Sequence, residues 1–393
     1  MASAAAFNPT DMKQYGSLMN SFAWRLFARA SELHPEWSPD TGIGAAAILV
    51  MMGGIKAASG EHGSSEVEGL LNKGKLDLMA QELMKAGEVR TCFKWFSSTV
   101  FVTPSGRPVR SDFIEQVDAK YGMEVRTADI YAQGGKQVVA MINKLMEEKT
   151  DGHTEEMITP DHQVRPDPSG CGVIVANTVY FHPWWNVRFN RKKTQEAPFF
   201  ETAKLERRVL MMYREEVLPY AEGEVAPDVS VQVVGLACRR NSGMVYFILP
   251  TRRFGFREVI RVANARSLAA LISACTPRSV RQWLPKIRLL ETTELRPELE
   301  QLGMRTWFSP SLSRVMDDKR SPLFINEMPH QVVVRFNEDG DISETGEAAE
   351  NENPESTSIK VRCDQPFLFI FRHDATDAFW LIGSSSRPIY PRK

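Results

Sequence analysis

Cysteine is scarce and scattered in this sequence. Cys92, Cys171, Cys238, Cys275 and Cys363 are an odd set, widely spaced and without a CxxC pair. That pattern argues against a zinc cluster and a disulfide framework and suits a reducing compartment. Charge of one sign is lacking as well. The net charge of −1 gives no global field that would gather nucleic acid or an anionic membrane surface, so neither is expected as a partner. Short basic runs, Arg191-Lys192-Lys193 and Arg252-Arg253, read as solvated faces. The strongest apolar run, GIGAAAILVMMGGI at 42–55, is too short to span a bilayer and reads as a buried helix. MASAAAFNPTDMKQ has no basic segment leading into an apolar one, so no cleaved leader is expected. No Asn-x-Ser/Thr acceptor with a non-proline centre occurs. The expected location is the cytoplasm, with secretion by a leaderless route as the alternative.

Catalytic signatures are missing too. There is no GxSxG, HExxH, GxxxxGK[ST] or helix-opening GxGxxG. The seven histidines, at 34, 62, 153, 162, 182, 330 and 373, never fall at metal-ligand spacing. The chain therefore reads as a non-enzyme with no metal and no cofactor.

What is present is patterned in two halves. Residues 22–33 carry apolar side chains at helical spacing. SPDTG at 38–42 offers a cap to the apolar helix that follows, and SSEVEGLL at 64–71 begins as a second capped helix. FKWFSSTVFV at 93–102 reads as a strand, and residues 136–150 as an amphipathic helix. After about residue 170 come short β-branched and aromatic runs, among them CGVIVANTVYF, VQVVGLA, MVYFILP, HQVVVRF and PFLFIFR. One helical pattern at 256–275 interrupts them. Helices first and strands mostly later predict an α+β fold with large, mainly antiparallel sheets. No internal repeat or linker divides the chain. Between two apolar runs, residues 337–358 read NEDGDISETGEAAENENPESTS, with eight carboxylates from Glu338 to Glu355 and no Lys or Arg before Lys360.

Several of these runs, in order, resemble the landmarks of the serpin family. They are ANTVYFHPWW at 176–185, EAPFF at 196–200, VLMMY at 209–213, WLPKIRL at 284–290, LEQLGM at 299–304, HQVVVRFNEDG at 330–340 and DQPFLFIFRHDAT at 364–376. Thinner matches lie at 38–57 and 142–152. The resemblance covers essentially the whole chain. It implies one serpin domain, 1–393, with three β-sheets, eight to nine helices and an exposed reactive-centre loop at about 338–362. It implies a monomer whose partner is a serine or cysteine protease. The protease attacks the loop and forms an acyl-enzyme; the loop then inserts as a new strand in a waiting sheet and distorts the attacker. The positions matching the family's sheet-opening cluster are Ser38, Thr41, Asn177 and His330. Those matching its sheet-top contacts are Trp185, Lys286 and Glu338.

The hinge departs from the family pattern. Efficient inhibitors follow the hinge glycine with Thr or Ser and then small residues; this chain has Gly340-Asp341-Ile342-Ser343-Glu344-Thr345-Gly346-Glu347. Side chains of an inserted strand alternate between faces, so Asp341, Ser343, Thr345 and Glu347 would point inward. A buried, unpaired carboxylate costs several kcal/mol or takes up a proton. A barrier higher by only about 1.4 kcal/mol slows insertion tenfold. The cleaved bond would fall near Asn353, Pro354, Glu355 and Ser356, where Pro354 hinders attack and Glu355–Ser356 suits an acid-directed protease. The reading is a serpin that traps poorly or serves as a substrate; the alternative is a working inhibitor of a protease that prefers acidic residues.

Overall fold

A computed structural model of the chain describes residues 9–33, 40–71, 76–87, 92–318, 320–339 and 358–390. The first part is largely helical: α1 (Pro9–Leu33), β1 (Gly42–Ile43), α2 (Ala45–Ala58), α3 (Glu61–Leu70), α4 (Leu76–Gly87), β2 (Phe93–Pro104), α5 (Ser111–Tyr121), β3 (Met123–Ala128) and α6 (Lys136–Lys149). Strands then dominate: β4 (Gly172–Pro183), β5 (Gln195–Thr202), β6 (Leu205–Ala226), β7 (Val229–Ala237) and β8 (Gly243–Pro250). Next come α7 (Phe256–Val262), α8 (Ala265–Ser273), β9 (Thr276–Pro285), β10 (Ile287–Glu294) and α9 (Leu295–Gln301). The last elements are β11 (Phe324–Glu327), β12 (Pro329–Phe336), β13 (Ile359–Arg362), β14 (Phe367–His373) and β15 (Ala378–Ser385). This is the expected α+β architecture, with nine α-helices among the described residues.

The strands form two hydrogen-bonded networks. A six-stranded sheet runs β10-β12-β4-β2-β3, with β11 also on β4. A nine-stranded network runs β1-β15-β14-β8-β7-β6-β9-β13, with β5 also on β6. The 22-residue β6 pairs with β5 and β9 through its first part and with β7 through its last, so it carries hydrogen bonding between two smaller sheets. An aromatic layer joins the two networks. Phe181 stacks on Phe371 at 4.4 Å, Phe93 meets Phe371 edge-on at 5.0 Å, and Trp95 meets Trp380 at 5.3 Å. Burying each such ring contributes roughly 1.5–3 kcal/mol.

Three local expectations are corrected. The helix after 38–42 opens at Ala45 with Gly44 as its N-cap and no side-chain cap. Residues 42–43 are already paired with β15, and Asp40 Oδ1 accepts instead from the backbone N–H groups of Ser386 (2.6 Å) and Arg387 (3.0 Å). The expected cap at Ser64 lies inside α3, which begins at Glu61 because the chain turns at Ser59 and re-enters a helix at once; Ser64 Oγ donates to Gly60 O at 3.2 Å. The single pattern at 256–275 is two helices. Asn264 breaks it with a reciprocal capping box, accepting from Ser267 N at 3.0 Å while its own N–H donates to Ser267 Oγ at 3.2 Å.

Candidate functional site

The six-stranded sheet has a parallel seam at its centre. β12 pairs with β4 from His330 opposite Asn177 to Val334 opposite Phe181, and no third strand stands between them. Two polar groups bound this seam, one at its lower end and one at its upper end.

At the lower end, where the pairing begins, His330 is fully buried. Its Nε2 accepts from Gly44 N–H at 3.1 Å. A backbone amide can only donate, so the ring proton must sit on Nδ1, which donates to Asn177 Oδ1 at 2.7 Å. The Asn177 amide passes the chain on, donating to Ser98 O at 3.1 Å and to Thr99 Oγ1 at 2.8 Å. The network is complete only with a neutral imidazole, because a proton on Nε2 would face another donor. Burial pushes the pKa of His330 down to about 3. Gly44 fits because it has no side chain: a Cβ there would lie 2.7 Å from Val179 Cγ2 and 3.3 Å from His330 Cε1.

The four residues expected to cluster are thus only partly brought together. His330 and Asn177 are bonded. Thr41 is buried nearby in sequence to Gly44, but its backbone bonds Ser384 and its hydroxyl has no partner among the described residues. Ser38 lies outside the described residues. Sequence reasoning missed Gly44 and Ser98, since a backbone donor and a backbone acceptor leave no mark in residue type, and Thr99, whose hydroxyl sits in a strand where threonine is ordinary.

At the upper end, Lys286 Nζ lies 2.8 Å from Glu338 Oε2, with both side chains largely buried. Thr194 Oγ1 donates to the other carboxylate oxygen at 2.9 Å. Burial opposes the charge on Glu338, but the ammonium and the hydroxyl outweigh it and hold the group below its usual range. Trp185 is fully buried and donates from Nε1 to Asn337 O at 2.8 Å. Backbone bonds from Trp185 N to Asp339 O (3.3 Å) and from Phe189 N to Glu338 O (3.2 Å) fasten residues 337–339 to the segment after β4. His182 bonds Asn337 Oδ1 at 3.0 Å, and Arg191 pairs with Asp339 at 2.8 Å. The interior beneath is aromatic: Phe336 lies 5.8 Å from Trp185 and 5.6 Å from Phe247.

Gly340, Asp341, Ser343, Thr345 and Glu347 of the hinge, and Asn353, Pro354, Glu355 and Ser356 of the bond region, lie outside the described residues. Beyond them, the Ser358 hydroxyl donates to Glu215 Oε1 at 2.9 Å, and β13 follows beside β9. All five cysteines are free thiols. Among the described residues no group of three or more His, Cys, Asp or Glu could hold a metal, and no helix is long and apolar enough to cross a membrane.

The family described as Serpin (serine protease inhibitor) matches residues 17–388. The chain is 25% identical to a leukocyte elastase inhibitor of Xenopus laevis over 284 residues, covering 70% of this chain and 73% of that one. It is 27% identical to Serpin B10 of Otolemur garnettii over 286 residues, covering 72% and 70%. Among solved structures, protease nexin-1 with heparin superposes with a TM-score of 0.83 at 18% identity, over 97% of this chain and 100% of that one. Uncleaved ovalbumin gives 0.83 at 19% identity, over 95% and 99%. At these identities the structural likeness speaks for the fold alone.

Proposed function

The chain belongs to the serpin family, and on that premise we propose that it offers residues of about 338–362 to proteases as bait but traps them poorly, being cut as a substrate. As a serpin it is homologous to serine protease inhibitors and is not itself an enzyme. The observation that carries the reading is the acidic hinge, Asp341 and Glu347, set against a seam that is closed. β12 and β4 are directly paired, and an inserting strand would have to part them from the Lys286–Glu338 end downward. Residues 337–339, which lead into the loop, are fastened there by the Trp185 and Phe189 backbone bonds.

The first inward side chain to enter would be Asp341, over the aromatic floor of Trp185, Phe247 and Phe336. An ionised carboxylate there lacks water and costs several kcal/mol. Glu347 would follow it on the same inward face. Trapping is a race between insertion and hydrolysis of the acyl-enzyme, and a slow first step loses it. In this reading His330, Asn177, Thr41 and Ser38 govern parting of the strands, while Lys286, Glu338 and Trp185 hold the upper end shut. The partner is a serine or cysteine protease, the protein acts as a monomer, and the free, mostly buried thiols fit a cytoplasmic setting.

Incubation with a panel of serine and cysteine proteases, acid-directed ones included, tests the reading. The expected product is loop-cleaved protein with the protease released. A covalent complex that survives SDS would establish the second reading, an inhibitor cut at Glu355–Ser356.

A further inference from the structure

Lys192 and Lys193, which the sequence alone suggests are merely solvated, overhang one face of β5, β6, β9 and β13. The strand registers build that face in rows. Tyr213 lies opposite Trp283, and Trp283 opposite Arg362; two residues along, Glu215 lies opposite Arg281, and Arg281 opposite Lys360. The Tyr213 and Trp283 rings are 5.1 Å apart, and the Arg362 guanidinium sits 4.5 Å over Trp283. Together with Met211 they line a cavity of about 550 Å³.

The charges on this cavity are unbalanced. Arg281 is taken up by Glu215 at 3.0 Å, and Arg362 has Asp364 no nearer than 3.9 Å. Among the described residues Glu196 is the one carboxylate on the lining, and it already has a partner. No carboxylate lies within ion-pair distance of Lys192, Lys193 or Lys360 among the described residues. Three lysines therefore line one cavity that has an aromatic floor, with Lys193 Nζ 6.0 Å from the centre of the Tyr213 ring. Carboxylate side chains complement the rim, and aromatic side chains complement the floor, where cation–π and ring contacts already operate. A sulfated sugar chain would use the rim and leave the rings idle.

We propose that this face is a docking site for an acidic segment bearing aromatic side chains on a partner protein. The position identifies that partner, a step that rests on the bait reading. β13 begins at Ile359, three residues after Ser356, so a protease seated at Glu355–Ser356 lies within roughly 10 Å of chain from this face. The face then adds attraction outside the protease's cleft, and its contribution weakens with salt.

The test uses the intact protein and a fluorescein-labelled peptide, Glu-Tyr-Glu-Glu-Tyr-Glu, read by anisotropy at low salt. Binding is expected, with at least a tenfold loss in the surface double variant Lys192→Glu/Lys193→Glu and in Lys360→Glu. Replacing both tyrosines of the peptide by alanine is expected to weaken it several-fold. Unchanged affinity in the charge variants, no binding, equal binding of the alanine peptide, or stronger binding of a sulfated hexasaccharide would each overturn the proposal. No protease is present, so failure here leaves the bait reading standing. A second arm follows loop cleavage by whichever panel protease cuts it. A several-fold slower cut of the Lys192→Glu/Lys193→Glu variant is expected, and an equal rate would overturn the assignment of the partner.

Discussion

His330 shows how much a single side chain can carry in this molecule. Its folded pKa is about 3, whereas an unfolded histidine titrates near 6.5. Between those values the unfolded chain binds the extra proton, so stability falls as pH drops through that window. At pH 4.5 the loss from this residue is on the order of 3 kcal/mol. His330→Gln supplies an amide able to accept from Gly44 and donate to Asn177 without titrating. The gap between unfolding free energies at pH 7 and pH 4.5, measured in urea, is expected to shrink by about that amount in the variant. An unchanged gap would show that the histidine titrates freely. Gly44→Ala should also destabilise, by ~1–3 kcal/mol, because the added Cβ meets Val179 and displaces the donor that His330 needs.

At the scale of elements, the upper ends of β4, β10 and β12 are held by the buried Lys286–Glu338 pair, the more exposed Arg191–Asp339 pair and a set of backbone bonds. Lys286→Met keeps the length of the side chain and leaves Glu338 buried without its cation. Removing one partner of a buried pair costs ~3–5 kcal/mol. Native-state hydrogen exchange is expected to speed up at residues 334–339 well before the lower part of β12 responds; uniform protection would count against a local role for the pair. Elements also show what could be read from sequence. Periodicity placed β2, α6 and the buried α2 because each depends on its own side-chain pattern. It merged α7 with α8, because the break lies in Asn264's backbone and the apolar spacing runs on across it. It took SPDTG at 38–42 for a helix cap, because the N–H groups that Asp40 of that stretch satisfies lie more than three hundred residues away.

At the scale of the whole molecule, the landmarks spread along the chain carried both fold and family, whereas composition alone stopped at α+β. His330 with Asn177 and Lys286 with Glu338 could be singled out only through that resemblance, since no spacing rule joins residues so far apart. Thr41 shows the limit of carrying positions over: its hydroxyl bonds neither Asn177 nor His330. The proposed defect lies in two side chains of the hinge. The double variant Asp341→Thr/Glu347→Ala is therefore expected to gain SDS-resistant complex with a protease that merely cuts the parent chain.

The most direct measurement needs no cognate protease. The loop is nicked at any accessible bond between residues 348 and 357, and the melting temperature is compared before and after. If the acidic hinge resists entry between β4 and β12, the cut protein melts within a few degrees of the intact one. A rise of tens of degrees would mean that the strand inserts readily, and would contradict the account.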